Sequence, residues 1–204
     1  MTESVPTQGI ESNRLEAFSD AVIAVIITIM VLEIHAPDGG GFSSLKDIMP
    51  TLYAYVLSFT FIGIYWNNHH HLLRATKRIS APVMWANLHL LFWLSLIPFV
   101  TAWVGEHPGV GEHPISHAPA ASYGVVGVMS AVAYTLLVSF IKKANTDTGI
   151  SEALANSYKG TLSLIFYICA VPLAFVNPII SYALYVAVSV MWFVPDRRLA
   201  EVLE

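Results

Sequence analysis

The sequence predicts an all-α integral membrane protein with six transmembrane helices per chain and both termini in the cytoplasm. Three observations carry this. Of the 204 residues, 55% are hydrophobic and only 12% charged, about half the charged share of a soluble domain. Apolar runs fall at 15–34, 50–73, 82–104, 119–141, 158–176 and 178–195, each near the roughly 20 residues that cross about 30 Å of hydrocarbon. Basic residues collect on alternate connections, which themselves are short. The chain therefore reads as a single membrane domain, 1–204, with cytoplasmic tails at 1–13 and 196–204.

The first run is expected to be a retained helix, because an acidic, Pro-containing tail precedes it and no small-residue cleavage site follows. Phe18, Val22, Val25, Ile29 and Leu32 are spaced 4, 3, 4 and 3 apart, which places them on one narrow stripe, with Thr28 at its border. Such a stripe is the seam of a helix packed near-parallel against copies or neighbours. Asp20 lies about 200° round from Phe18, so bracing inside its own bundle is favoured over coordination on the stripe. A lone carboxylate in a membrane costs at least a few kcal/mol, and donors are expected at the same depth.

The second run ends "YWNNHHHLLR" and the third begins "APVMWANLHL" on the same side of the membrane. Trp66, Asn67, Asn68, His69, His70, His71, Trp85, Asn87 and His89 thus gather with Asp20 in the cytoplasmic half. Consecutive histidines point about 100° apart and no i,i+4 histidine pair exists in these helices, so a buried hydrogen-bond network is expected and a metal is not. The next connection, "GEHPGVGEHPISHAP", brings His107, His113 and His117 close in sequence without a recognisable zinc pattern, and reads as a flexible outer loop. In the remaining runs Pro172 and Pro178, like Pro98 before them, are expected to kink or end helices. Trp66, Trp85, Trp103 and Trp192 read as interface anchors, and Cys169 as a small buried apolar residue.

Orientation follows from the ten Lys and Arg residues. With the N-terminus inside, Arg14, Arg74, Lys77, Arg78, Lys142, Lys143, Lys159, Arg197 and Arg198 are all cytoplasmic and only Lys46 lies outside, as the retention of positive charge requires. Glu33, Asp38, Asp47, Glu106 and Glu112 fall on the outer side, where they attract cations at short range.

Arg14-x-x-x-Phe18-Ser19-Asp20, followed by an uncharged run through Ile27-Thr28 to Val31-Leu32-Glu33-Ile34, resembles the first-helix signature of the transmembrane-protein-175 family of lysosomal and prokaryotic potassium channels. The Asn and His residues at the junction of the second and third runs, the six spans and the length are similar to its single-repeat prokaryotic members. The resemblance implies a potassium-selective, passive cation channel in the plasma membrane, a homotetramer whose first helices line a central pore. It implies that Val25, Ile29 and Leu32 form a hydrophobic constriction, that Thr28 supplies a selectivity layer, and that Arg14, Phe18, Ser19 and Asp20 belong to a network behind it. Trp66, Asn67, His70, Asn87 and His89 are the expected partners in that network. No cofactor is expected; potassium and other monovalent cations and membrane lipid are the partners. Independently of the resemblance, nothing like "TVGYG" occurs in the chain, so a carbonyl-lined filter is excluded.

Two other classes stay open. His70 and His89 on adjacent helices offer one candidate haem pair, which would make a membrane redox protein. Asp20 and the histidines could form the relay of a proton-coupled transporter, although no internal repeat is evident and the outer halves of the later helices lack charge. With no catalytic triad, HExxH, phosphate loop or basic nucleic-acid patch, neither a soluble-type enzyme nor a nucleic-acid partner is expected.

Overall fold

A computed structural model describes residues 7–108, 115–146 and 158–193, and these residues are helical throughout their apolar runs. The helices are α1 (Thr7–Leu32), α2 (Leu45–Ala75), α3 (Ala81–Ser95), α4 (Ile97–Glu106), α5 (His117–Ala144), α6 (Tyr158–Ala174) and α7 (Pro178–Phe193). A short 3-10 turn, Phe42–Ser44, precedes α2. Four stretches are long and apolar enough to cross a membrane: Ser12–Leu32, Phe42–Ala75, Ala81–Glu106 and His117–Ala144. The last two predicted runs form shorter apolar helices of 17 and 16 residues, about 25 Å long at the α-helical rise.

The third run differs from expectation in being two helices. Pro98 has no N–H for the carbonyl one turn back, at Leu94, and its ring crowds that position. Leu96 instead donates from its backbone to Trp93 at 3.2 Å, and the ladder resumes when Val100 donates to Leu96. α2 starts five residues before Pro50, which was the expected boundary. The carbonyl that Pro50 leaves without a helical donor is that of Lys46, in the exposed first turn, where water is available. Between α6 and α7 the chain reverses at Asn177, whose side chain accepts from the Ile179 backbone at 3.0 Å, and Pro178 begins the new helix with its φ already set.

α5 lies centrally and packs on α3, α4, α6 and α7, whereas α1 packs on α2, α3 and α4. One apolar core unites Ile23, Ile26 and Met30 of α1 with Phe61, Leu73, Leu90, Leu94, Leu137, Tyr167 and Tyr185 from the other helices. Small residues bring α5 close to its neighbours. A Cβ on Gly127 would stand 2.8 Å from the Tyr167 ring, and one on Gly124 would meet the Tyr185 hydroxyl. Several buried hydroxyls are paired: Thr101 lies 2.7 Å from Ser58, Ser58 meets Tyr123 at 3.0 Å, and Tyr185 donates to the Ala120 carbonyl at 2.9 Å. Cys169 is a correction. It faces outward from α6 beside the exposed Ile165 and Ile168, on a face that suits lipid.

Candidate functional site

The two sides of α1 have different surroundings. Ile26 is 3% exposed and Val25 beside it 54%. Ile29 is 41% and Leu32 77% exposed, and Phe18, Ala21, Ala24 and Thr28 are exposed with them. This chain therefore leaves an apolar stripe of its first helix uncovered along its length. Val22, expected on that stripe, turns half inward against the core. The Thr28 hydroxyl donates to the Val25 carbonyl of its own helix at 2.9 Å. Its proton is thereby committed, while its oxygen lone pairs stay available to a cation.

Beside the stripe, an open groove of about 820 Å³ runs between α1 and α4, lined by Phe18, Val25, Ile29, Phe99 and Trp103 among others, with Glu33 and Glu106 in its wall. Its walls are mostly apolar.

At the N-terminal foot of α1, three helices are tied by buried side chains. The Asn87 amide on α3 donates to the Ser19 hydroxyl at 2.9 Å, and Ser19 donates to the Leu15 carbonyl at 2.8 Å. The Asn87 carbonyl lies 2.7 Å from His69 Nε2 on α2. Because that oxygen can only accept, His69 carries a proton on Nε2. Ser19, His69 and Asn87 are all fully buried. Ser12 adds a second tie, lying 3.1 Å from the Leu73 carbonyl and 3.2 Å from that of Thr76.

Of the expected donors, Trp66 is the one that meets Asp20, through its indole N–H at 3.0 Å. One residue of helix turns the side chain by about 100°, so Ser19 reaches α3 and the Asn–His pair while Asp20 is turned to α2. Glu16, one turn earlier, approaches His70 Nδ1 at 2.9 Å. The Trp66 ring stacks on His70 with centroids 5.8 Å apart.

Not every expected member joins this network. Arg14, Phe18 and Asn67 are exposed. His89 accepts from Trp93 Nε1 at 2.9 Å, one turn along its own helix. His89 is thus committed within its own helix, which removes the motive for a haem shared with His70. Of the outer-loop histidines, His107 lies 3.0 Å from the Trp103 carbonyl and His117 2.6 Å from that of Ala174, while His113 is outside the described residues.

Sequence reasoning did not single out three residues that matter to the geometry. His69 is one of three consecutive histidines in the polar cluster, and spacing alone does not distinguish it from the other two. Glu16 reads as an ordinary interfacial charge. Asn145 accepts from the Lys77 and Arg78 backbones at 3.1 and 2.8 Å and so closes the α2–α3 turn from the end of α5. An Asn just past a helix end is its only local signal.

The family profile described as "Endosomal/lysosomal potassium channel TMEM175" matches residues 14–98. A protein of a Chryseobacterium strain, described as a potassium channel, is 44% identical over 94% of this chain and 97% of its own. A second potassium channel, from Streptomyces collinus, is 34% identical over 82% of this chain and 84% of its own. Among solved structures, that of a lysosomal potassium-selective channel TMEM175 homolog from Chamaesiphon minutus superposes with a TM-score of 0.77 at 26% identity, covering 89% of this chain and 96% of that one.

Proposed function

Because the chain belongs to the TMEM175 family of endosomal/lysosomal-type potassium channels, we propose that it is a potassium channel in which four copies surround a single path lined by α1. It is not an enzyme. The observation that carries the pore reading is the uncovered apolar stripe of α1, with Val25, Ile29 and Leu32 exposed in one chain while Ile23, Ile26 and Met30 are buried. One helix cannot enclose a water path, and closed rotational symmetry is the usual way for copies of one surface to meet. In the tetramer the groove between α1 and α4 receives the neighbouring chain.

At each level of the stripe, four apolar side chains form a ring that cannot replace the hydration of an ion, so dewetting closes the path. Opening widens or wets these rings. The four Thr28 oxygens then offer lone pairs to a partly dehydrated potassium ion and supply the selective layer. Glu33, one residue past α1, raises the local cation concentration at the outer mouth. Conduction is passive. The distribution of Lys and Arg supports an orientation with both termini in the cytoplasm, and six helical passes in the plasma membrane complete the proposal.

Flux through reconstituted liposomes with opposed potassium and sodium gradients tests this reading. Potassium should pass in preference to sodium, Ile29→Asn should raise the resting flux, and Thr28→Ala should bring the two ions closer together. A flux indifferent to Val25, Ile29 and Leu32 would assign the path to another helix. Native mass measurement in nanodiscs is expected to give four chains, and a conducting monomer or dimer would overturn the assembly.

A further inference from the structure

Glu16 and Asp20 stand one turn apart on α1, and His70 faces them from α2. One ligand atom of each lies within 4.8 Å of the others, and all three side chains are half-buried. Two carboxylates at i,i+4 repel when nothing positive lies between them. The nearby Arg14 is exposed and pairs with neither among the described residues.

The contact between His70 and Glu16 has an informative shape. His70 Nδ1 is 2.9 Å from Glu16 Oε1, yet that buried nitrogen has no partner in hydrogen-bonding geometry. A nitrogen and an oxygen that are close but not aimed along one N–H···O line are disposed like two ligands converging on a third point. At bonds of about 2.1 Å to a tetrahedral ion, two ligand atoms stand about 3.4 Å apart, a spacing within the 4.8 Å that bounds the three atoms of this cluster. A second observation comes from the neighbouring ring. His69 is fully buried, spends its Nε2 proton on Asn87, and its Nδ1 is also unpartnered. It stands within electrostatic range of Asp20, Glu16 and His70. A positive charge in the Glu16–Asp20–His70 cluster would neutralise the two carboxylates.

We propose that Glu16, Asp20 and His70 form a binding site for a divalent transition-metal ion of the zinc class at the N-terminal foot of α1. One imidazole and two carboxylates suit zinc and its neighbours better than calcium or magnesium, which prefer all-oxygen shells. Asp20 keeps one oxygen on the Trp66 indole and offers the other, so Trp66 orients the ligand as outer partners of metal sites do. The ion fastens α1 to α2 and so restrains the foot of this helix. The site does not depend on α1 lining the pore.

Zinc alone is the probe. Titration calorimetry of the purified full-length channel should give one zinc per chain, with little response to magnesium. Glu16→Gln and His70→Gln should each weaken zinc binding at least tenfold while eluting at the wild-type volume. A double replacement of His107 and His117, the described outer-loop histidines, should leave this binding intact. Unchanged affinity in both foot variants, or loss of binding on changing the outer loop instead, overturns the site. Should the foot variants fail to fold, zinc-soaked wild-type crystals decide: an anomalous peak among Glu16, Asp20 and His70 is expected, and its absence there rejects the proposal.

Discussion

The two halves of α1 are held in opposite ways. From Ser12 to Asp20 its side chains are tied to other helices, through Ser12 to α2, Ser19 to α3 and Asp20 to α2. From Ala21 to Leu32 the one side-chain hydrogen bond is that of Thr28 to its own backbone, and the remaining hold is apolar contact by Ile23, Ile26 and Met30. Hydrogen bonds are directional and costly to break when buried, whereas apolar contact is insensitive to small rotations. The N-terminal half fixes where the helix stands. The C-terminal half can shift against its neighbours at lower cost.

The contrast can be broken most forcefully at Asn87. Asn87→Leu leaves the buried His69 Nε2 proton without its acceptor, at about 1–3 kcal/mol, and removes the donor to Ser19, whose hydroxyl keeps its own bond to Leu15. Fluorescence-detected size exclusion should show the folded peak largely lost, and adding His69→Leu should recover part of it. A folded, fully stable Asn87→Leu channel would mean that the foot is not what positions α1. Next in size is Gly127→Ala, which drives a methyl into the Tyr167 ring and should cost about 1–3 kcal/mol by overpacking. The thermal transition should fall, with ion preference unchanged. Since Gly127 is on α5, this separates general loosening of the bundle from effects specific to α1.

A smaller loss is expected for Trp66→Phe. It removes one hydrogen bond to a half-buried carboxylate, and partial solvent access limits the cost to about 1 kcal/mol. The smallest stability effects belong to the C-terminal half. Thr28→Ala and Ile29→Asn alter exposed positions and should each change the stability of the chain by less than about 0.5 kcal/mol. Their effect should appear in the liposome flux alone. A large stability loss from Ile29→Asn without a flux change would make the stripe a packing seam.

The sequence itself reveals the two halves unevenly. The C-terminal half was legible because a stripe at 4, 3, 4, 3 spacing is a property of one helix and needs no knowledge of its neighbours. Membrane passage was legible for the same reason, and the foot was visible as a concentration of polar residues at one depth. The pairing within the foot was not. Whether Ser19 or Asp20 meets Asn87 is decided by the rotation of α1 relative to α3, which a polar cluster does not encode. Pro98 signalled a disturbance in the third run, but only the backbone bonds around Leu96 make it a division into two helices. Burial of Cys169 was misjudged because an apolar membrane helix has hydrophobic surroundings on both its protein and lipid sides, so residue type does not distinguish them.

That division at Leu96 has a mechanical consequence. α3 carries Asn87 and therefore belongs to the fixed foot, while α4 carries Phe99 and Trp103, the far wall of the groove. An unbroken helix would transmit any tilt of that wall straight down to Asn87. The interrupted one behaves as two levers sharing a pivot, so the wall of the groove can yield while the joint at Asn87 keeps its register.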